Sequence, residues 1–374
     1  LKIVSVMTGA APGGAEFAAV ELLEALISRG HEAVMLSDWS GIARDTRVEP
    51  RALELGPKLS GRSWPALALR WPSLRRRLRH ALEAEWPYDV LLFSYKKEQL
   101  LAAGLPERLR PRTAWAEWGP VPRQMRRGPG RRMYVSASRD VRPVMAISEG
   151  TRRSLVEIGV DPASVAVVPN AIRTGEVRFS EEGRAKVRAA LGIPPDAFVV
   201  GCTSRFHHKK RNDVAIDAVA ELDPDTHLIL AGDGETEAEL RARASPLGER
   251  AHFIPTPGPD VAEVLSAFDV AVFCPSPAEG TPTSVVLGML VERPYVSTGA
   301  EGVVGLIGDG YGAIAAPEND PAAVAELLRG YRGDGERRRR EGAVGGARAR
   351  ERFDSATVAA AAERLLVAGG PQPR

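Results

Sequence analysis

Short apolar runs alternate with segments of helical period along almost the whole chain. KIVSVM (2–7) is followed by EFAAVELLEALISRG (16–30), in which positions 17, 20, 23 and 27 share a face and Gly30 closes the helix. AVMLS (33–37) leads to a tryptophan- and arginine-bearing helical stretch near 65–85. DVLLF (89–93), a helix near 98–103, TAWAEW (113–118) and VMAIS (144–148) come next, and then a helix over EGTRRSLVEIG (149–159) and the strand VAVVP (165–169). The polar segment NAIRTGEVRFSEEG (170–183) breaks the pattern. A second series follows: FVVGCT, HLILAG, AHFIP, VAVFC and PYVST as strands, with helices near 211–221, 235–245 and 260–267 between them, and a helical tail over 335–368. Continuous apolar strands spaced by helices predict parallel sheets covered on both faces. The expected architecture is α/β, with two doubly wound Rossmann-like domains and a cleft between them. The domains are expected at 1–172 and 173–350, with 351–374 returning as a helix to the first domain.

Composition narrows the class without naming a function. The 374 residues suffice for two domains with their own cores, and Lys+Arg 50 against Asp+Glu 48 gives no global sign of a nucleic-acid partner. No apolar run is long enough to span a bilayer, and LKIVSVM reads as a first strand rather than a leader peptide. Cys202 and Cys274 both fall in apolar strands, which predicts buried reduced thiols and a cytoplasmic protein. All six tryptophans lie in the first third, where arginines also cluster as RRRLRH (75–80) and RQMRRGPGRR (123–132). This is either a set of solvated helix faces or the place where a partner is held.

Ligands of doubly wound sheets bind outside the carboxyl ends of the strands, so chemistry is sought there. TGAAPGGAE (8–16) places Gly13 and Gly14 where a backbone can approach a ligand, or simply where a strand turns into a helix. SRFHHKKRND (204–213) sets Arg205 and Lys210 on a loop entering a helix, an arrangement suited to a diphosphate or to a solvated basic loop. AGDGETEAEL (231–240) has the glycines and acids of a plain turn and helix start. PSPAEGTPTSVVLGML (275–290) puts Glu279, Gly280 and Thr281 on a loop, and Thr283 and Ser284 in the first turn of a helix whose free N–H groups favour an anion. Glu279 beside such an anion needs donors, which a polyhydroxyl ligand supplies. The Asp-x-Asp of ELDPDTH (221–227) reads as a turn, and the six histidines lack metal-ligand spacing, so no metal and no cofactor are expected.

Taken together, GGAE, SEGTRRSLVEIGV with VVPNAI, SRF…KRND, LILAGDGE and PAEGTPTSVV…GM resemble the retaining nucleotide-sugar glycosyltransferases of family four, which have the GT-B fold. The resemblance covers nearly the whole chain. It implies transfer of a sugar from a UDP- or GDP-linked donor, UDP foremost, to a hydroxyl of a small molecule or glycan. Arg205 and Lys210 would hold the donor diphosphate, Glu279 the sugar hydroxyls, Thr283 and Ser284 the phosphates, and Gly13 and Gly14 would approach the donor from the other domain. Two departures stand out. Eight residues after Glu279, where the family pattern has a second glutamate for the ribose, this chain has Leu287; and Ser94 and Tyr95 stand where many members have a histidine. AEWGP (116–120) resembles a branch that would put Glu117 near the acceptor.

The stretch 123–132 follows TAWAEW and is expected to be a loop, since Gly128, Pro129 and Gly130 oppose a helix. On that reading Tyr95, Glu117, Trp118, Arg126 and Arg127 form the acceptor side, with Trp115 and Trp118 as stacking platforms and a peripheral membrane contact as one use of the arginines. A sugar-nucleotide epimerase would need acid/base pairs and a phosphorylase a pyridoxal lysine, and neither is evident. A nucleotide-binding protein without catalysis is kept open by Leu287.

Overall fold

The structure, a computed structural model, describes residues 1–9, 13–38, 46–276 and 279–368. Trp39 and the terminal PQPR lie outside the described residues, as do 10–12 of the glycine-rich turn and 277–278. The chain forms two compact units, Leu1–Ile172 with Asp354–Arg374, and Arg173–Phe353.

In the first unit the strands are β1 (Lys2–Val6), β2 (Glu32–Ser37), β3 (Glu49–Ala52), β4 (Val90–Phe93), β5 (Thr113–Glu117), β6 (Val144–Ala146) and β7 (Val165–Val167). They pair in the order β3-β2-β1-β4-β5-β6-β7, every pair parallel. The helices are α1 (Gly14–Ile27), α2 (Trp64–Glu85), α3 (Lys96–Ala102), α4 (Gly128–Ala137) and α5 (Glu149–Glu157). Val90 to Phe93 are all buried, as expected of a strand covered on both faces. α1 buries Ala18, Ala19, Leu22, Leu23, Ala25 and Leu26, while Phe17, counted on its apolar face from spacing, is 59% exposed. α2 turns Leu67, Leu74, Leu78 and Leu82 inward and leaves Arg70, Arg76, Arg77 and Arg79 exposed, with Arg75 half-buried against Gly104. Edge strand β3 has no apolar alternation to announce it, since Glu49, Pro50, Arg51 and Ala52 are all exposed.

The stretch 123–132, expected as a loop, is largely helical instead. A 3-10 turn over Arg123–Met125 runs into α4, whose extended N-cap is Arg127 and whose first turn contains Pro129. Proline near a helix start supplies a preset φ and gives up an N–H that has no partner there, so the Gly-Pro pair starts this helix instead of preventing it. Gly128, at φ 63°, takes the left-handed backbone at the junction.

The second unit has α6 (Glu181–Ala190), β8 (Phe198–Thr203), α7 (Asn212–Ala220), β9 (Thr226–Ala231), α8 (Glu237–Ala244), β10 (Ala251–Ile254), α9 (Val261–Ser266), β11 (Val270–Phe273), α10 (Thr283–Leu290), β12 (Tyr295–Ser297), α11 (Glu301–Val304) and β13 (Ala313–Ile314), followed by α12 (Pro321–Gly333) and α13 (Gly335–Phe353). Its parallel sheet runs β10-β9-β8-β11-β12-β13. The last helix, α14 (Ser355–Ala368), belongs to the first unit and packs Val358, Ala359, Ala362 and Leu366 into the same core cluster as α1.

In each sheet the strand order reverses once, between β1 and β4 and between β8 and β11. Those reversals open crevices at the carboxyl ends of the paired strands, the usual place for a ligand in such folds. A buried ion cluster holds the start of β11: Asp269 accepts from Arg184 (2.7 Å), Arg188 (2.8 Å) and the Val199 N–H (2.8 Å). The same two guanidiniums also donate to the carbonyls of residues 266–268 at the end of α9.

Candidate functional site

In the second unit, the ends of β8 and β11 bring the sequence-picked residues into two adjoining loops. The backbone of Phe206 donates to the Asp233 carbonyl (2.8 Å), and Gly234 lies so close to Phe206 that a Cβ there would be 2.4 Å from its carbonyl oxygen. Leaning on that turn, the loop passes a 3-10 turn at His208–Lys210 and enters α7 through Arg211, held at φ 50°. Lys210 Nζ donates to Glu279 Oε2 at 2.8 Å and stands 5.3 Å from the Phe273 ring. The Ser276 N–H donates to the Lys209 carbonyl (2.8 Å), tying the two loops together. On the far side, the Gly302 N–H donates to the Glu279 carbonyl (3.1 Å), and a Cβ on Gly302 would fall 1.8 Å from the Gly280 oxygen.

Arg205 is mostly exposed and pairs with Glu235 at 3.3 Å, and Glu235 also meets His207 at 3.2 Å. Its own backbone N–H, then His207 and Arg205, hold the Glu235 carboxyl below its usual range against the opposing effect of burial. His207, His208 and Glu235 form a grouping with metal-ligand atoms within 4.8 Å of one another. Histidine spacing gives no sign of it because Glu235 comes from the next strand-end loop. Nδ1 of His207 accepts from the Lys209 N–H (3.1 Å), and Arg205 and Lys209 add positive charge beside it, a setting that favours an anion over a cation.

α10 begins after Pro282 with Thr283 and Ser284 half-buried and no acid in its first turn, so its free N–H groups offer an anion a place without a competing carboxylate in that turn. Gly280 and Thr281 lead into it, also half-buried. Val285, Val286, Met289 and Leu290 pack inward, whereas Leu287 is half-buried on the side of Thr283 and Ser284, one turn on. The Asp-x-Asp at 223 and 225 ends as ion-pair partners of Arg332. Both thiols are buried and unpaired; burial pushes Cys202 up to about 12.

In the first unit, the glycine-rich turn and the end of β4 meet in a cluster that sequence reading only partly found. The Gly13 N–H donates to Glu16 Oε2 (3.0 Å), and Glu16 Oε1 accepts from Lys58 (2.9 Å) and from the Tyr95 hydroxyl. Lys58 also lies 4.2 Å over the Tyr95 ring. Gly14 is exposed at the first turn of α1. Burial, and then the Glu16 charge, push the Tyr95 phenol far up. Beneath it, Glu98 accepts from the Thr8 N–H (3.1 Å) and hydroxyl and lies 3.7 Å from Lys97, both side chains fully buried. Ser94 is buried as well.

Glu117, expected on the acceptor side, is buried among hydrogen-bond partners. It is 3% exposed, its Oε1 accepts from Gln99 (2.7 Å) and Tyr134 (2.5 Å), and Lys96 donates to Oε2. Trp115 is likewise no stacking platform: it is 1% exposed and packs on Tyr134 at 5.0 Å. Trp118 is half-buried, packed against the core cluster that holds α1. Arg126 donates to the Val121 carbonyl (2.8 Å) and Arg127 caps α4; both are exposed. Of the missed members of these clusters, Lys96, Lys97 and Glu98 share one signal in the sequence, charged residues just past the end of apolar strand β4, whereas Glu16 on α1 and Lys58 beyond exposed β3 carry none.

Two parallel doubly wound sheets, each with its strand-end loops at a reversal of strand order, define the GT-B class. HepE of Anabaena, solved in complex with UDP-glucose, superposes with a TM-score of 0.83 at 20% identity, covering 98% of this chain and 99% of that one. A model described as Glycosyltransferase Family 4 matches residues 12–176, and one described as Glycosyl transferases group 1 matches 197–331. The chain belongs to the glycosyltransferases of family four. It is 31% identical over 237 residues to a D-inositol 3-phosphate glycosyltransferase of Thermomonospora curvata, covering 57% of this chain and 53% of that protein. It is 26% identical over 318 residues to the lipopolysaccharide core biosynthesis glycosyltransferase LpsE of Rhizobium meliloti, covering 84% of each. The matches to inositol-phosphate enzymes span about half the length of those relatives, between 39% and 53%. No helix among the described residues is long and apolar enough to cross a membrane.

Proposed function

We infer that the protein transfers a sugar from a nucleotide diphosphate donor, UDP-linked foremost, to an acceptor hydroxyl with retention of anomeric configuration. The observation that carries this reading is the meeting, at the reversal of strand order in the second unit, of Lys210 with Glu279 on the loop leading to the acid-free start of α10, with Arg205 exposed on the same strand-end loop as Lys210. Two cations and a helix N-terminus suit a leaving diphosphate, and charge preorganised on the leaving group is the strongest stabilisation such a site can supply. Glu279 already accepts from Lys210 and offers its remaining lone pairs to sugar hydroxyls. In this mechanism no protein nucleophile attacks the sugar. The departing phosphate oxygen takes the acceptor's proton on the face it leaves, which yields retention. The cations stand in for a metal, and turnover is expected to persist in EDTA.

The test is incubation with a panel of UDP-, GDP- and ADP-linked sugars, following slow donor hydrolysis and, by NMR, the anomer first released. Hydrolysis with the donor's configuration kept supports the reading; inversion or complete, metal-reversible loss in EDTA overturns it.

Leu287 supports the second reading, a nucleotide-binding protein without turnover, because a carboxylate for the ribose is missing from that face of α10. Its half-buried position leaves a new carboxylate access to water. Leu287→Glu is therefore expected to fold and to tighten UDP binding by about 1–2 kcal/mol through a charge-assisted hydrogen bond. Calorimetry on both proteins checks this, and unchanged affinity for UDP, GDP and ADP alike removes the ribose from this face.

A further inference from the structure

Two stretches of the first unit contain no aspartate or glutamate. Residues 55–82 carry seven lysines or arginines and residues 118–139 carry six, in a chain whose total charge is nearly balanced. Positive charge is thus segregated, not in excess.

The fold brings the two stretches to one place. Leu59 and Trp64 from the first, Met125, Pro129 and Met133 from the second, and Leu100 of α3 line a groove of about 240 Å³. These residues follow the carboxyl ends of β3, β4 and β5. The walls are apolar, and Trp64 and Met133 at the lips are 40% and 42% exposed. Around them Arg62, Arg123, Arg126 and Arg127 are exposed, and no carboxylate among the described residues pairs with any of the four.

An apolar groove alone would accept any apolar body, and unpaired arginines alone any anion. Exposed guanidiniums without carboxylate partners, set beside a mainly apolar groove, leave an anion and an apolar body to be matched together, so the pair of features suits a molecule with both parts. We propose that this groove binds the apolar chain of a lipid phosphate, with the phosphate on the arginine rim, and that the acceptor carries such a chain. That the occupant is an acceptor rests on the transferase reading above; that it binds does not.

The test is calorimetry with decyl phosphate below its micellar concentration, beside inorganic phosphate and decanol, at low and moderate salt. Decyl phosphate is expected to saturate one site at least about tenfold more tightly than either half alone. Met133→Glu, at an exposed position that should not disturb folding, and the pair Arg126→Ala with Arg127→Ala should each weaken it by about tenfold or more, with melting temperature and UDP affinity unchanged. The salt increment should weaken the wild type more than the arginine double variant. Equal binding of inorganic phosphate would reduce the site to a plain anion patch, and equal binding by Met133→Glu would empty the groove. Pelleting with phosphatidylglycerol vesicles without saturable binding of the monomer would make this a bilayer-facing surface instead; each overturns the proposal. UDP titration of the same samples keeps the readings apart, because loss of nucleotide binding with decyl phosphate retained sinks the transferase reading alone.

Discussion

Lys210→Ala is expected to lower donor turnover by about 10²–10³-fold, and Arg205→Ala by a similar factor, the usual cost of deleting one preorganised charge from a reacting site. The two act differently before substrate arrives. Lys210 is held at 2.8 Å by Glu279 and only a quarter exposed, so its charge is already in place; Arg205 is mostly solvated and has to leave Glu235. The lysine variant should therefore lose chiefly kcat, and the arginine variant should also weaken UDP binding. Neither residue belongs to a core cluster, so melting temperature should hold in both. Steady-state hydrolysis of the preferred UDP-sugar reads the result. Normal turnover in both variants would place the diphosphate elsewhere.

Asp269→Ala is expected to destabilise the second unit by about 3–5 kcal/mol, the range for removing one partner of a buried ion cluster. The change strands two guanidiniums, Arg188 almost fully buried, and frees the Val199 N–H and the start of β11 together. For a unit of this size the melting temperature should fall on the order of 10 °C. Asp269→Asn, which keeps an acceptor oxygen in the same volume, should cost less. Burial alone would raise the Asp269 pKa; Arg184, Arg188 and the backbone N–H outweigh it and hold the carboxyl below its usual range. Such a group binds its proton more readily unfolded than folded. Its contribution is therefore complete above about pH 4, the unfolded value, and is lost as pH falls further through the folded one. A loss under about 1 kcal/mol in denaturant titration, or an acid limb identical in Asp269→Asn, would show the cluster to be incidental.

Much of the fold could be read from apolar runs, because strands covered on both faces of a parallel sheet leave nothing else for their side chains to be. What could not be read had a physical reason each time. β3 lies at an edge with every residue exposed, and β13 is two residues long, so neither carries an apolar signature. Gly128 and Pro129 look like helix breakers in a bare sequence, although at a first turn they do the opposite. At the candidate site, Arg205, Lys210, Glu279, Thr283 and Ser284 could be picked out because their loops follow strong strands, and the structure gathers them in one unit. Glu117 and Trp115 show the limit: an acid and an indole beside an expected ligand look alike in sequence whether they face outward or, as here, are sealed under Tyr134. Pairings such as Lys58 with Glu16, or Lys97 with Glu98, depend on which of many charges the fold buries.

The absent side chain of Gly302 bears on how this protein could drift or be re-engineered. The Gly280 oxygen fills the volume that a methyl group at 302 would need, so the loop carrying Glu279 is seated on α11 without slack. Position 302 meets the candidate loop only through the backbone of Glu279 and Gly280, yet even alanine there must lift the loop or tilt the helix. A mutagenesis library confined to ligand-facing positions would leave this lever unexplored. One that includes it would find few tolerated substitutions, and the compensating changes would gather at 279–281, so that the two segments vary as a pair.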